Sequence, residues 1–424
     1  MPTPPLLVQP IPRGREATWI VPGSKSITNR ALLLAALAEG ESRVQNTLVS
    51  DDTQRMQDCL EGLGIRLTAG GPGEVIIQGG RSRLVPTTTP LFVGNSGTTV
   101  RFLTGLAALV PGATTFVGDQ HMAKRPIQDL VDGLRQAGVG VDCPTGCPPI
   151  TIDGTVGFPG GAVTMRGDRS SQYFSALLLM AGLGKRDLLL DVQGTLVSRP
   201  YVEMTRRMVA DFGGRIDERG EGFIARAVPA YRPRTYIVEP DASSASYPAA
   251  LAAAGGHRIT MPHLTAASLQ GDYGFLAVLE QMGATVERNA EATTVTGSGR
   301  LRGIDVDMHH ISDTVMTLAA IAPLCDGPTT IRNIANIRIK ETDRLIATVN
   351  ELRRLGQEVE HGEDWLKITP RPLQAAEVHC YADHRMAMSF GILGAIAGHV
   401  TIADPDCTAK TYPGFWKDLD GFRG

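Results

Sequence analysis

A single segment recurs six times along this 424-residue chain. Each copy opens with a polar residue, continues with an apolar stretch rich in Ala and Leu, and closes with a Gly. The opening residues, spaced 69 to 73 residues apart, are Ser26, Thr98, Ser171, Ser244, Asp313 and Arg385. The closing residues are Gly40, Gly112, Gly184, Gly256, Gly327 and Gly398. Because this period is longer than that of solenoid repeats, each unit is predicted to be a small subdomain of strands and helices.

The pattern within each unit predicts an α/β fold. The apolar stretches are hydrophobic nearly all round, which is typical of buried helices, and a short β-branched run follows each closing Gly. Several units add a second, more amphipathic helix. One example is the segment 125–139, where Pro126 is predicted to start the helix. Alternating helices and strands with Gly-terminated helices favour an α/β architecture.

Proline-rich stretches predict where the chain divides. Val228 to Asp241 separates the third repeat from the fourth, and a similar stretch surrounds Pro22. We therefore expect an N-terminal lobe over 22–239 and a C-terminal lobe over 1–21 plus 240–424. The first lobe would hold three repeats and the second the other three. The segments 6–11 and 17–21 are predicted strands without a helix of their own, so this N-terminal arm is expected to join the C-terminal lobe.

Composition excludes several classes of function. A net charge of −3 gives no reason to expect a nucleic-acid or anionic-membrane partner. Six scattered cysteines in so long a chain do not form a disulfide framework, the N-terminus lacks the pattern of a signal peptide, and no apolar stretch is long enough to span a bilayer. A reducing cytoplasm is expected. Neither a His/Cys cluster with ligand spacing nor a P-loop is present, so no metal and no other cofactor is expected.

Cations and hydroxyls gather at the predicted helix starts. The densest group lies in the segment 22–30, where Lys25, Ser26 and Arg30 fall in one helical turn, an arrangement suited to an anionic ligand. Any one of them alone is ordinarily a cap or a solvated charge. An Arg at a helix start opposes the helix dipole by a few tenths to about 1 kcal/mol unless an anion offsets it. Seven candidate cations would repel one another without such a ligand: Lys25, Arg30, Arg125, Lys340, Arg344, Arg385 and Lys410.

Eight motifs in order resemble the 5-enolpyruvylshikimate-3-phosphate (EPSP) synthase family from about Val21 to the C-terminus. They are PGSKSITNRALLLAALAEG, GNSGTTVRFL, RPIQDLV, SSQYFSALL, EPDASSASY, IKETDRL, DHRMAMS and CTAKTYPGF. The resemblance implies a two-lobed inverse α/β barrel of six βαβαββ units, three per lobe, with the active site in the cleft between the lobes.

The resemblance also implies a reaction. This family, the target of glyphosate, transfers the enolpyruvyl group of phosphoenolpyruvate to the 5-hydroxyl of shikimate-3-phosphate and releases phosphate through a tetrahedral addition–elimination intermediate. The reaction is a transferase step of the shikimate pathway, which leads to chorismate and the aromatic amino acids.

Roles follow residue by residue from the same resemblance. The implied catalytic residues are Asp313, Glu341 and Lys25. The implied contacts to phosphoenolpyruvate are Lys25, Asn95, Gly97, Arg125, Gln172, Arg344, Arg385 and Lys410. The implied contacts to shikimate-3-phosphate are Lys25, Ser26, Arg30, Ser170, Ser171, Gln172, Ser198, Tyr201, Asp313, Asn336 and Lys340. Without the resemblance, Asp313 would be interpreted as a helix cap and Glu341 as half of a surface pair with Lys340.

The turn that shapes the implied phosphate pocket departs from the family pattern. Ser96 and Phe102 stand where the family often has Ala and Pro, and Phe102 adds a backbone N–H and bulk behind the turn. Catalysis is expected to survive this change, while sensitivity to glyphosate stays open. Arg199 occupies a place often held by Lys.

Other functions fit part of the sequence. The UDP-N-acetylglucosamine enolpyruvyl transferase of similar fold uses a loop Cys, but the segment 118–125 has none. An RNA-end cyclase of similar fold would need a basic surface and nucleotide binding. A non-catalytic anion-binding scaffold would keep the cations without needing Asp313 and Glu341.

We expect small-molecule substrates, no nucleic-acid or membrane partner, and a monomer.

Overall fold

The computed structural model of the protein describes residues 3–424. Contacts between residues divide the chain into two compact units. The N unit is Gly23–Glu239. The C unit contains Pro240–Gly424 together with the N-terminal arm, which ends at Pro22. The arm thus belongs to the same unit as the second half of the chain.

The strands are short, as expected for small sheets that repeat along the chain. In chain order they are β1 (Leu6–Leu7), β2 (Glu16–Thr18), β3 (Gly40–Gln45), β4 (Arg66–Gly71), β5 (Glu74–Gly79), β6 (Leu91–Phe92), β7 (Ala113–Val117), β8 (Gly140–Asp142), β9 (Ile150–Asp153), β10 (Gly161–Arg166), β11 (Leu188–Gln193), β12 (Arg215–Arg219), β13 (Gly222–Arg226), β14 (Thr235–Ile237), β15 (Arg258–Pro262), β16 (Thr285–Arg288), β17 (Ala292–Thr296), β18 (Asp305–Asp307), β19 (Thr329–Arg332), β20 (Glu358–His361), β21 (Leu366–Thr369), β22 (Ala376–Val378) and β23 (Val400–Ile402). The arm supplies β1 and β2, which are shorter than the segments predicted for it.

The α-helices alternate with these strands. They are α1 (Lys25–Leu37), α2 (Asp51–Gly62), α3 (Gly97–Leu106), α4 (Gln128–Gln136), α5 (Ser171–Ala181), α6 (Arg199–Asp211), α7 (Ala242–Gly255), α8 (Phe275–Met282), α9 (Val315–Ile321), α10 (Arg344–Arg354), α11 (His384–Ala397) and α12 (Phe415–Arg423). Helix α4 begins two residues after Pro126, with Ile127 at the N-cap position, so the prediction that this proline starts the helix was two residues early.

Three sheets of the N unit share one topology. Their strand orders are β14-β3-β5-β4, β6-β7-β9-β8 and β10-β11-β13-β12. In each sheet an edge strand runs parallel to its neighbour, and a hairpin completes the sheet in antiparallel register. A helix links the parallel strands in the second and third sheets, which is the usual crossover for parallel pairing. In the first sheet β14, from the end of the unit, takes the edge position.

The C unit repeats this topology twice and then departs from it. Two sheets have the orders β16-β17-β15-β2 and β18-β19-β21-β20, while the third has three strands in the order β1-β23-β22. After β23 the chain forms a 3-10 helix over Pro405–Lys410 and then α12, so no hairpin follows. Strand β1 instead pairs antiparallel with β23. The predicted α/β fold of repeated units is confirmed, with five units of the βαβαββ pattern and one shortened unit.

Each unit has three buried helices at its centre, with the sheets outside them. Helices α1, α3 and α5 contact one another in the N unit, and α7, α9 and α11 do so in the C unit. Nearly all their residues are buried, including every residue of α3, α7 and α9. Because these helices are apolar on all faces, they satisfy the prediction that they are core elements.

Side-chain caps define where the central helices begin. Ser24, Ser96 and Ser170 cap α1, α3 and α5, and their hydroxyl oxygens accept backbone N–H groups of the first turn. Asp241 and Asp383 cap α7 and α11 in the same way. Five of the six repeat openings therefore lie in a first helical turn. The sixth, Asp313, lies in the 3-10 turn Ser312–Thr314 that leads into α9.

Candidate active site

Seven charged side chains of the C unit form one network of ion pairs, here called the charge cluster. Its members are Asp313, Lys340, Glu341, Arg344, Asp383, Arg385 and Lys410. They lie at or just before the starts of α9, α10 and α11 and at the end of the 3-10 helix Pro405–Lys410. The packing of these elements brings together residues that are far apart in the sequence.

Arg344 occupies the centre of the charge cluster, and its side chain is only 2% exposed. Its Nε lies 2.7 Å from Asp383 Oδ2 and its Nη2 lies 2.7 Å from Glu341 Oε2. Its Nη1 donates to Asp313 Oδ1 at 3.2 Å. Burial alone would lower the pKa of Arg344, but the three carboxylates hold that pKa above its ordinary value. A permanently charged guanidinium thus orders three acids around itself.

Asp313 accepts contacts from three cations. Its Oδ2 lies 3.0 Å from Arg385 Nη2, and its Oδ1 lies 3.2 Å from Arg344 Nη1 and 3.6 Å from Lys340 Nζ. Burial alone would raise the pKa of Asp313, but Arg385, Lys340 and Arg344 together hold it well below its ordinary range. Asp313 is therefore an ionised carboxylate throughout the neutral pH range in the ligand-free protein.

The low pKa of Asp313 predicts how its stabilising effect depends on pH. The pKa of an Asp in an unfolded chain is about 3.9. The ionised Asp313 therefore stabilises the folded state fully above about pH 5, and this stabilisation is lost as the pH falls towards the lower pKa of the folded state. We expect Asp313→Asn to lower the thermal unfolding temperature by a constant amount from about pH 5 to pH 9, and by a shrinking amount below about pH 4. Circular dichroism melts of both proteins test this. Asp326→Asn, at an exposed Asp of the same unit, should change little at any pH, and a deficit of Asp313→Asn that widens in acid would contradict the assignment.

Glu341 links the remaining cation to the cluster. Its Oε2 bonds Arg344, and its Oε1 lies 3.2 Å from Lys410 Nζ. Its side chain is only 9% exposed, so its pairs with Arg344 and Lys410 lie within the charge cluster and not on an open surface. Four cations face three carboxylates across these contacts, which leaves one net positive charge. The expectation that the C-unit cations would repel one another without a ligand is therefore wrong, because carboxylates of the same unit offset them.

Asp383 is the member of the cluster to which the sequence assigned no role. It is fully buried, caps α11 by accepting the Arg385 N–H at 2.9 Å, and pairs with Arg344 through both carboxylate oxygens. Asp383 thus holds the side chain of Arg344 and the backbone N–H of Arg385 in fixed positions. The only sequence signal was its position directly ahead of His384 and Arg385, which marks a helix cap and does not reveal a partner on another helix.

The first turn of α1 holds the catalytic lysine candidate of the N unit. Lys25 Nζ lies 3.1 Å from Asp52 Oδ2, and both side chains are largely buried. Asp52 is the second residue of α2, whose N-cap is Ser50. This carboxylate, like Asp383, was not among the predicted site residues. Lys25 thus has a fixed position at the start of α1, where the helix dipole also favours an anion.

Asn95, Gly97 and Arg125 lie in contact with one another. Arg125 Nη1 donates to the backbone oxygen of Asn95 at 3.2 Å and to its side-chain oxygen at 3.3 Å. A Cβ atom at Gly97 would stand 2.6 Å from Arg125 Nη2 and 2.7 Å from its Cζ. The Arg125 guanidinium thus packs directly against the Gly97 Cα at the start of α3, and any larger residue at position 97 would displace it.

The start of α5 brings together Ser170, Ser171 and Gln172. Ser170 Oγ accepts the Gln172 N–H at 3.3 Å, and Arg101 Nη1 donates to Gln172 Oε1 at 2.5 Å. The guanidinium of Arg101 also lies over the ring of Tyr173, 5.3 Å from its centroid. Arg101 fixes the orientation of the Gln172 amide, a positioning contact that the sequence did not predict.

Arg30 is buried beside the start of α6. Its Nη1 donates to the Ser26 backbone oxygen at 2.9 Å, and its Nη2 donates to the Tyr201 backbone oxygen at 3.2 Å. Ser198, directly before α6, has a left-handed backbone with φ of 51°, which is uncommon for a residue other than Gly and often marks functional sites. The predicted residues Ser26, Arg30, Ser198 and Tyr201 thus belong to one region of the N unit.

Asn336 lies in the C unit, in the 3-10 helix Ala335–Ile339. Its Nδ2 donates to Ser312 Oγ at 3.0 Å, which places it beside the residue that precedes Asp313. Asn336 is largely buried and fixes the turn that carries this carboxylate. All the predicted site residues of the C unit therefore lie in or next to the charge cluster.

Within residues 3–424, no group of three or more His, Cys, Asp or Glu side chains is arranged to hold a metal ion. The helices of the same range are all too short or too polar to cross a membrane.

Both units carry cationic side chains at the starts of their central helices, an arrangement typical of proteins that bind small anionic ligands. A family profile described as EPSP synthase (3-phosphoshikimate 1-carboxyvinyltransferase) matches residues 13–419. The chain belongs to this family.

Individual relatives are similar over nearly the whole chain. The 3-phosphoshikimate 1-carboxyvinyltransferase of Nostoc punctiforme is 46% identical over 405 residues, or 95% of each chain. The protein of that name from Klebsiella pneumoniae is 43% identical over 98% of each chain, and a chloroplastic one from Arabidopsis thaliana is 41% identical over 98% of this chain and 84% of its own. A solved structure of EPSP synthase from Acinetobacter baumannii aligns with a TM-score of 0.82 at 25% identity, over 99% of this chain and 98% of that one.

Proposed function

We propose that the protein transfers the enolpyruvyl group of phosphoenolpyruvate to the 5-hydroxyl of shikimate-3-phosphate and releases phosphate. The main support is the charge cluster, which holds three carboxylates among four cations in a chain whose family match covers residues 13–419. Each substrate carries a phosphate and a carboxylate, so their several negative charges match the cations of both units. A scaffold that only bound anions would not need acid–base groups among its cations.

The reaction requires three proton transfers. The 5-hydroxyl oxygen attacks C2 of phosphoenolpyruvate and loses its proton, while the methylene C3 gains a proton to give the tetrahedral intermediate. A proton then leaves C3 as the C2–O bond to phosphate breaks, which restores the double bond. We assign this proton traffic to Asp313 and Glu341, with Lys25 as a third participant. The ionised state of Asp313 suits it to accept a hydrogen bond from the attacking hydroxyl.

The cations then bind the two substrates. We assign phosphoenolpyruvate to Lys25, Asn95, Gly97, Arg125, Gln172, Arg344, Arg385 and Lys410. We assign shikimate-3-phosphate to Lys25, Ser26, Arg30, Ser170, Ser171, Gln172, Ser198, Tyr201, Asp313, Asn336 and Lys340. Guanidinium groups favour these ligands because they bind phosphate and carboxylate through paired hydrogen bonds. Binding requires the ligand anions to compete with the carboxylates that pair with Arg344 and Arg385 in the free protein.

An assay of phosphate release tests this function. The protein is mixed with phosphoenolpyruvate and shikimate-3-phosphate, and inorganic phosphate is measured with and without each substrate. Release that depends on both substrates is expected, and Lys410→Met should reduce it. Lys367→Met, at a surface lysine paired with Glu360 in the same unit, should not. Release that required UDP-N-acetylglucosamine instead would favour the related transferase, and none with either acceptor would favour a binding scaffold.

The contact between Gly97 and Arg125 yields a more specific prediction. Because an added Cβ would overlap the Arg125 guanidinium, Gly97→Ala should displace this cation from the proposed phosphate pocket. We expect the KM for phosphoenolpyruvate to rise about tenfold or more, which corresponds to about 1.4 kcal/mol of lost binding. The KM for shikimate-3-phosphate should change much less. Steady-state kinetics with each substrate varied in turn will measure both.

Gly71→Ala is the matched control for this variant. Gly71 belongs to the same unit, and a Cβ there would meet nothing within 4 Å. It should leave both KM values unchanged. If Gly97→Ala raised neither KM, Arg125 would have no part in binding phosphoenolpyruvate.

We infer that the protein works as a monomer in the cytoplasm. The support for the compartment is that all six cysteines are free thiols, as is usual in a reducing environment. The support for the monomer is that only eight large hydrophobic side chains among residues 3–424 are exposed, and they are scattered along the sequence. Light scattering should give a mass near 45.2 kDa, and twice that value would overturn the monomer.

A further inference from the structure

Arg30 is a buried cation without an acidic partner. Its side chain is 1% exposed, yet no carboxylate among the described residues forms an ion pair with it. Four of its N–H groups donate to neutral oxygens: those of Ser26, Tyr201, Ser175 and Thr205. A guanidinium has five such groups, so one N–H of Nη1 is left for a ligand. Uncompensated burial of a charge is unfavourable, and it lowers the pKa of Arg30 to about 10.

An aromatic ring offsets part of the free-energy cost of burying the Arg30 charge. The Arg30 guanidinium carbon lies 4.9 Å from the centroid of the Phe102 ring, and the Tyr201 ring is more distant at 6.0 Å. Phe102 is fully buried in α3 and contacts Arg30 across the packed interface of α1 and α3. The face of an aromatic ring carries negative charge density, so a cation held over it at this distance is stabilised most where water is excluded.

We propose that Phe102 is a positioning residue for shikimate-3-phosphate, because its ring holds the guanidinium of Arg30 charged and oriented towards the anionic substrate. This inference rests on the proposed function, which assigns Arg30 to that substrate. Four hydrogen bonds fix the edges of the guanidinium, and the ring supports its face. Together they leave the remaining Nη1 N–H in a single orientation. Loss of the ring would leave the hydrogen bonds in place but would weaken the charged form and allow the plane to tilt.

The test compares Phe102→Leu with Phe116→Leu by isothermal titration of shikimate-3-phosphate. Phe116 is also a fully buried Phe of the N unit, so its replacement controls for lost packing. Both variants should melt at lower temperature. Only Phe102→Leu should bind the substrate more weakly, by about 5- to 20-fold, which is the range for a desolvated cation–π contact.

The KM for phosphoenolpyruvate provides a second readout, which Phe102→Leu should leave nearly unchanged. Phe102→Met, which keeps bulk without a ring, replaces Phe102→Leu if the latter does not fold, and the same loss is expected of it. Equal affinities of wild type and the Phe102 variants would overturn the proposal, as would an equal loss in Phe116→Leu. If the wild-type protein itself did not bind shikimate-3-phosphate, the proposed function would fail first, and this inference with it.

Discussion

Replacing Arg344 with methionine will lower the free energy of unfolding by about 3 to 5 kcal/mol, the usual effect of removing one partner from a buried ion pair. Methionine has nearly the length of the arginine stem but no charge, so Asp383, Glu341 and Asp313 would lose their common partner. Asp383 is the most affected because it is fully buried. Urea unfolding followed by circular dichroism will measure the loss. The kcat/KM for phosphoenolpyruvate should also fall by about 10²-fold or more, the scale for removing a group that binds developing charge.

Two further variants separate charge from packing in this result. Arg353→Met changes an exposed arginine of the same helix, which donates only to the Val359 backbone oxygen, and should alter stability by about 0.5 kcal/mol or less. In the Arg344→Met background, Asp383→Asn removes the buried negative charge that has lost the Arg344 guanidinium as its partner. It should therefore recover part of the lost stability. If the double variant were less stable than Arg344→Met alone, the loss would come from packing, and the central role of Arg344 in the charge cluster would be wrong.

The sequence predicted the fold because the repeat is encoded locally. Apolar stretches with polar caps and closing glycines determine where each central helix begins and ends, and these signals lie within about one helix length of each other. The shortened sixth unit was missed for the opposite reason. Its third strand, β1, comes from the other end of the chain and pairs with β23 in a register that no local pattern specifies.

The residues of the candidate site also fall into two groups: those that local motifs predict and those that only the tertiary structure brings together. Lys25, Asn95, Gly97 and Arg125 were identified from motifs whose residues lie at helix starts. The acids that neutralise the cations were harder to predict: Asp52 is on a different helix from Lys25, and Asp383 pairs with an arginine 39 residues earlier. Such pairs depend on how the central helices pack. A sequence can show that charges gather at helix starts, but the tertiary structure decides which of them meet.

Replacing Glu341 with glutamine should lower kcat by about 10²-fold or more, the usual scale for a lost acid–base group. Glutamine keeps the shape of the side chain and removes its charge and its titratable proton. The KM for phosphoenolpyruvate should stay the same or fall, because a carboxylate that competes for Arg344 and Lys410 has been removed. Asp313→Asn should also lower kcat, and the loss of a hydroxyl contact should weaken the binding of shikimate-3-phosphate. Lys410→Met and Arg385→Leu, which remove cations, should mainly raise KM.

Glu351→Gln is the matched control for the structural part of the effect. Glu351 is a fully buried glutamate of the same unit, and it accepts hydrogen bonds from Arg354, the His379 N–H and the Tyr381 hydroxyl. Its replacement should lower the melting temperature without changing kcat in the folded protein, whereas Glu341→Gln should change kcat far more than stability. Steady-state kinetics at saturating partner substrate, with a melt of each variant, distinguish the two patterns. A wild-type kcat in Glu341→Gln would leave Glu341 only a structural role, as the carboxylate that holds Arg344 and Lys410 in place.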